Sequence, residues 1–400
     1  MTRTPSRHSR RTRTLHSGRL VAAAFVCIYV LVVAVGGRTT WERLRVPVEQ
    51  PSFLDMRSLT SAWECERRGI DVLPVNPCDP RNRPANYPSV WLALAPLGLG
   101  DDDTVWLGVG LAVVFFLSAL AVTGPLTLRE GALYGIALCS PGVMFGVERG
   151  NPDLFIFAMI VASLLALERS RSLRVAGYAL LVAATILKFF PGFAWGMVVR
   201  RSTAVAVGMA AIVVVYALLT FDEIRTILDV VPKEVVFSYG AGVLAEGVVE
   251  AADWSDRANA QAIVSVLLVL VGGALAVVFG TRWRLSFDVL GHDRKLDGFW
   301  AGAGIYVGSY AVMHNYDYRM AFLLLAIPQL STWSSHARSP LPASLTLAAL
   351  MTSLLLAARP VYDLAAEEVV NWALFVALGA GLFATVVPPR RHGRAVSGAL

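Results

Sequence analysis

Apolar residues along this chain run in blocks of about 16 to 22, separated by short polar stretches, with little of the alternation that marks strands. Blocks of that length match the hydrocarbon thickness of a bilayer when wound as helices. The pattern predicts spans near 20–37, 104–123, 131–147, 152–167, 175–190, 203–221, 261–280, 298–313, 320–333, 341–358 and 369–387. Two further apolar stretches, 88–100 and 192–199, are too short to cross alone and read as re-entrant or half-helices. The fold class is all-α: a polytopic transmembrane helix bundle of about 11 spans plus re-entrant half-helices. It forms one domain over 20–387, with basic tails at 1–19 and 388–400 and the longest polar loops at 38–103 and 222–260.

Composition agrees, with 56% of the 400 residues hydrophobic, 16% charged, and a mean hydropathy of +0.59. The net charge of +6 could point to nucleic acid, but its distribution argues for membrane topology instead. Arg3, Arg7, Arg10, Arg11, Arg13 and Arg19 belong in the cytoplasm by the positive-inside rule. If the segment 175–199 turns back at Pro191, the inner segments carry 20 Lys and Arg against 5 Asp and Glu, and the outer segments 15 against 24. A single straight crossing by 175–199 would expose Arg200, Arg201 and the basic 281–297 loop outside. The hairpin reading is therefore preferred, with both termini cytoplasmic. Residues 1–36 also fit a cleaved signal sequence, yet ten spans behind them favour an uncleaved first helix.

That topology brings four polar clusters to the outer face. Asp55 lies in the first outer loop, near the start of a short amphipathic helix marked by Phe53, Met56, Leu59 and Trp63, expected to lie along the membrane surface and to end at Gly69. Glu148, Arg149, Asn151 and Asp153 fall between two apolar runs; Lys188 ends another; His314, Asp317 and Arg319 stand in HNYDYR. Charges at a membrane boundary are costly and so mark a candidate functional site. Each has a plainer reading: a favourable helix-end charge for Asp55, an ion pair for Glu148 with Arg149, a helix cap for Asn151 and Asp153, snorkelling for Lys188, and a hydrogen-bonded spacer for His314. Arg81 and Arg83 read as solvated, with contact to an anionic substrate as the alternative. Asp101–Asp103 read as a cap and not as a metal-binding motif, and no metal or cofactor is expected. Cys65 and Cys78 share the outer loop, where an oxidising compartment would allow a disulfide; Pro74, Pro77, Pro80, Pro84 and Pro88 make the rest of that loop an ordered coil.

An acidic residue in the first outer loop, the ERGN turn (Glu148–Asn151) and the LKFFP end of a later helix (Leu187–Pro191) together resemble the GT-C glycosyltransferases, and within them the polyprenol-phosphate-dependent mannosyltransferases of glycosyltransferase family 87. The likeness is clearest over 50–200. It departs where that family often has R-G-Q and a simpler first loop; here stand Asn151, the cysteine pair and the prolines. The resemblance implies a sugar, mannose first among the candidates, moved from a polyprenyl-phosphate donor to a lipid or glycan acceptor at the outer face of the cell membrane. It implies Asp55 as base, with Glu148 second. The residues themselves suit that chemistry: one carboxylate to take a hydroxyl proton, and Arg149 with Lys188, joined by Arg319, to hold phosphate, with Asn151, Asp153, His314 and Asp317 as further substrate contacts. The competing expectation is a lipid or polyisoprenoid transporter or flippase, although no inverted repeat is found; a non-catalytic partner in envelope assembly is a third. Membrane lipids are partners on every reading, and nucleic acid on none.

Overall fold

A computed structural model of the chain describes residues 7–73, 75–231, 236–254, 256–284, 294–312, 314–358 and 364–386. The described residues are overwhelmingly helical. In chain order the helices are α1 (Arg7–Arg43), α2 (Leu54–Arg67), α3 (Thr104–Val122), α4 (Leu128–Leu138), α5 (Pro141–Arg149), α6 (Asp153–Leu167), α7 (Arg171–Leu187), α8 (Gly196–Val199), α9 (Thr203–Leu219), α10 (Phe221–Val230), α11 (Ala241–Ala251), α12 (Arg257–Trp283), α13 (Arg294–Val312), α14 (Ile327–His336), α15 (Leu341–Leu356) and α16 (Leu364–Val386). Segments of 3₁₀ helix interrupt them at Ser89–Leu97, Phe190–Trp195 and Asp317–Leu325.

Among the described residues, four helices are long and apolar enough to cross a bilayer: Ser17–Arg43, Asp101–Val122, Arg257–Trp283 and Ala366–Val386. The pairs α4/α5 and α9/α10, bent by 50° and 77°, raise the number to six if each counts as one span. The apolar blocks therefore form a helical membrane bundle, but several are not the continuous spans that hydropathy suggests. The block 131–147 is broken where Ser140 precedes Pro141, which cannot donate to the helix before it. The block 320–333 is divided between a 3₁₀ segment and α14. Such pieces can lie at membrane depth only where protein surrounds them and satisfies their backbone. Accordingly Met320, Leu323, Leu324 and Ala326 are fully buried.

One polar end of the bundle gathers described parts of the segments expected to be cytoplasmic; residues 1–6, 285–293 and 387–400, with the basic C-terminal tail, lie outside the described residues. Arg19 Nε donates to Gly124 O at 2.6 Å, and Arg294 reaches Glu168 at 4.0 Å. The buried carboxylate of Asp297 receives Arg200 at 3.1 Å and Arg201 Nε at 2.8 Å. Arg201 also donates to Leu167 O at 3.4 Å, so the chain leaves that end along α7 and comes back to it through the segment Phe190–Val199. The returning arm packs closely on α13, because a Cβ at Gly304 would lie 2.4 Å from Phe193 O. Small residues that let backbones approach are what hold helices together where lipid removes the usual hydrophobic drive.

At the other end the outer loop forms a folded cap. α2 is amphipathic as expected, and its apolar face packs against the protein, with Leu54, Met56, Leu59 and Trp63 all buried. It stops at Arg68, and Gly69 follows with φ of 70°, the left-handed turn that ends many helices. Trp63 Nε1 donates to Trp91 O at 2.7 Å and Arg67 to Ala95 O at 3.1 Å, fastening α2 to the 3₁₀ segment Ser89–Leu97. A disulfide joins Cys65 and Cys78. The acidic run Asp101–Asp103 acts as a cap, with Asp103 accepting from the Gly100 amide at 2.8 Å. Two short strands, β1 (Ser238–Tyr239) and β2 (Asn315–Tyr316), pair antiparallel and bring the segment after α10 beside the one after α13.

Candidate functional site

The ERGN turn organises the capped end. α5 ends at Arg149, and Gly150 takes φ 59° and ψ 38°, a conformation that costs glycine little; a Cβ there would also press to 3.1 Å from the Phe53 ring. The turn closes through Asn151 N–H to Gly146 O at 3.0 Å. Asn151, wholly buried, then works in two directions. Its Oδ1 accepts the Asp153 amide at 2.8 Å, starting α6, and its Nδ2 donates to Asp55 Oδ2 at 2.6 Å. Asp153, also buried, accepts from Lys188 Nζ and from Arg319 Nε, the latter at 3.3 Å. Three hydrogen bonds thus join Asp55, the ERGN turn, the end of α7 and the HNYDYR segment, the four clusters that charge placement singles out.

Aromatic faces set the two cations. Lys188 Nζ stands 4.9 Å from the centre of the Tyr87 ring, and the Arg319 guanidinium 4.3 Å from that of Phe190, while Arg319 Nη1 also donates to Asn315 Oδ1 at 2.5 Å. Both cations would be expensive to bury alone, and Asp153 between them compensates that cost.

Two cavities of about 200 and 210 Å³ open here, sharing Asn86, Tyr87, Tyr316 and Tyr318 as walls. The first is lined by Asp55, Glu49, Arg81, Arg83 and Arg149. The second combines Lys188, Arg319 and His314 with an apolar side made by Phe189, Phe190, Ile227, Leu228 and Val231. The last three belong to or follow α10, which lies across the mouth after its sharp bend from α9 and is tied to the Ser89 amide and hydroxyl by Glu223 at 2.6 and 2.8 Å.

Several expected site residues take other places. Glu148 lines neither cavity; its buried Oε1 accepts the Glu49 amide at 3.0 Å, anchoring the segment before α2. Asp317 faces away as well, with Oδ2 accepting the Ala358 amide at 2.8 Å. Asn151 and Asp153 brace the walls from behind. Arg149 and Lys188, expected to share one phosphate, line different cavities, which corrects that pairing. Arg149 lies over the Phe145 ring, its Nε is buried without an acceptor among the described residues, and its carboxylate neighbours Glu49 and Glu148 stay 3.7 and 3.8 Å away.

Sequence reasoning passed over Glu49 and Asp79 and read Arg81 and Arg83 as solvated. Arg81 meets Glu49 at 2.5 Å, and Arg83 forks onto buried Asp79 at 3.2 and 2.7 Å while reaching to 3.9 Å from Asp55 Oδ1. Burial alone would raise the Glu49 carboxyl, but Arg81, Arg149 and Arg83 outweigh it and hold the group below its ordinary value. Burial likewise disfavours the charged form of Arg83, and Asp79 with Asp55 reverses that. Tyr87, fully enclosed and facing Asp55 and Asp153, is pushed well above the usual phenol range, so it remains a neutral wall with a hydroxyl. Comparison of the chain with protein-family models, curated proteins and solved structures finds no match.

Proposed function

We propose that the protein is an inverting glycosyltransferase of the membrane, taking a sugar, mannose first among the candidates, from a polyprenyl-phosphate donor and passing it to a lipid or glycan acceptor. The observation that carries this reading is the adjoining pair of cavities, one presenting an oriented carboxylate and the other combining cations with an apolar wall. A lipid monophosphate has that second character: an anionic head and a hydrocarbon chain. The head would meet Lys188, Arg319 and His314, and the chain would lie against Phe189, Ile227, Leu228 and Val231. Lysine carries three N–H groups, so the bond to Asp153 leaves Lys188 with further donors to direct.

In this account the acceptor hydroxyl enters from the first cavity and attacks the anomeric carbon from the face opposite the phosphate. Its proton passes to Asp55 while the carbon–oxygen bond to phosphate breaks and the electron pair stays on the phosphate oxygen. The developing dianion is stabilised by the fixed cations, which need no reorganisation at that moment. Asn151 holds Oδ2 of Asp55, leaving Oδ1 for the proton. Arg149 stands on the acceptor side. The bundle would place both cavities at the outer face of the cell membrane, with eleven crossings and re-entrant pieces and both termini cytoplasmic.

Purified protein in nanodiscs, supplied with a polyprenyl-phosphate sugar, tests the reading. Lys188→Met removes one charge-assisted hydrogen bond of about 1.5–3 kcal/mol, so donor KM should rise about ten- to a hundredfold. An unchanged donor KM would remove the phosphate from the second cavity. Lipid translocation without sugar transfer by the parent protein would favour a transporter instead.

A further inference from the structure

One loop attaches itself to α2 at three points along the helix that carries Asp55. At the C-terminal end the disulfide joins Cys65 to Cys78. In the middle, Asn76 Nδ2 donates to Ser61 Oγ at 3.1 Å, both groups being buried. At the start, Arg83 Nη2 donates to the Leu54 carbonyl at 2.7 Å, and Nη1 stands 3.9 Å from Asp55 Oδ1. Arg83 is itself fixed. Asp79 accepts from its Nε and Nη2 and also from the Arg81 and Arg83 amides at 2.8 and 3.3 Å, so this buried carboxylate has four donors. A bidentate fork on a carboxylate leaves a guanidinium little rotational freedom.

Asp55 is therefore held from two sides, by Asn151 on Oδ2 and by the Arg83 guanidinium near Oδ1. The second restraint comes from the segment that the disulfide anchors, since Asp79 directly follows Cys78. We propose that Arg83, locked by Asp79, is a positioning residue that sets the direction of the Asp55 carboxylate, and that the Cys65–Cys78 loop exists in this protein to deliver that clamp. The inference rests on the reading of Asp55 as the base. Arg83 borders the cavity of the acceptor, but the role assigned to it is exerted through Asp55, so acceptor KM as well as donor KM should hold when it is changed. A displacement of about 1 Å at a reacting group can cost a hundredfold in rate, so a clamp of this kind bears on turnover more than on binding.

A double-mutant cycle on the full chain in nanodiscs, read as sugar transfer from a polyprenyl-phosphate donor, tests it. Arg83→Lys keeps the charge but loses the fork, and should lower kcat about tenfold with donor KM unchanged. The paired change Asp79→Asn with Arg83→Gln avoids a lone buried charge and should lower kcat further, again with donor KM held. In an Asp55→Asn background neither change should lower the residual rate again, because the group they orient is already gone. Losses that multiply in that background, or a parental kcat in both variants, would overturn the proposal. The thermal midpoint of each variant separates a folding defect from a positioning one: a kcat loss matched by a comparable loss of folded protein counts against the clamp. Near-parental transfer by Asp55→Asn alone would instead refute the base assignment, a result distinct from either.

Discussion

Asp153→Asn separates stability from phosphate binding in opposite directions. The parent carboxylate is 1% exposed and lies between Lys188 and Arg319, whose side chains are 13% and 12% exposed. At 3.3 Å and an effective dielectric near 20, its attraction for Arg319 is about 5 kcal/mol before desolvation is counted. Breaking a buried pair by removing one partner costs about 3–5 kcal/mol. An asparagine oxygen still accepts one hydrogen bond, and both cations border a cavity that water can enter, so the lower end, about 3 kcal/mol, applies. The thermal midpoint of the detergent-solubilised protein should fall by about 5 °C. With the internal anion gone, the positive field of Lys188 and Arg319 on the second cavity is stronger, and a polyprenyl phosphate there should bind more tightly and raise the midpoint of the variant by more than it raises the parent's. A variant with the parental midpoint would refute the reasoning, since the three charges would then be solvated. Lower stability without the larger ligand-induced rise would place the phosphate elsewhere.

Two other outcomes follow from the fold. Replacing Cys65 and Cys78 together by serine opens a loop whose ends are 13 residues apart and should lower stability by about 3 kcal/mol, read as a reduced thermal midpoint against the parent under non-reducing conditions. In a background without native cysteines, an impermeant thiol reagent should label Arg169→Cys and Thr203→Cys from the same side of sealed vesicles and Arg81→Cys from the other; labelling of Thr203→Cys from the side that labels Arg81→Cys would contradict the hairpin of 171–199.

The convergence of Asp55, the ERGN turn, Lys188 and Arg319 was legible because charge is expensive at a membrane boundary, and the alternation of basic and acidic segments left few topologies that keep them apart. Which neighbour in each cluster faces the cavities was not legible. Glu148 and Arg149 are adjacent on a helix and so point about 100° apart, one toward the Glu49 amide and the other into the first cavity. Asp317 and Arg319 are two residues apart in a 3₁₀ segment of about three residues per turn, which sends them to Ala358 and to Asp153 respectively. Arg83 was missed for a different reason. An arginine in a proline-rich polar loop reads as solvated unless its partner is known, and Asp79 is one of many carboxylates in sequence. Only the folded loop shows Asp79 to be buried under four donors. A hydropathy window also joins apolar pieces across breaks such as Ser140–Pro141, so continuous helices and broken ones look alike in sequence.

The central claim is that Asp55 takes the acceptor proton, and Asp55→Asn addresses it most directly, because the amide keeps the shape and can still contact Asn151. Measured as sugar transfer from a polyprenyl-phosphate donor in nanodiscs, turnover should fall about 10²-fold or more, the usual scale for loss of a general base, while donor affinity stays at the parental value. Transfer at near the parental rate would contradict the account and put the base at another residue.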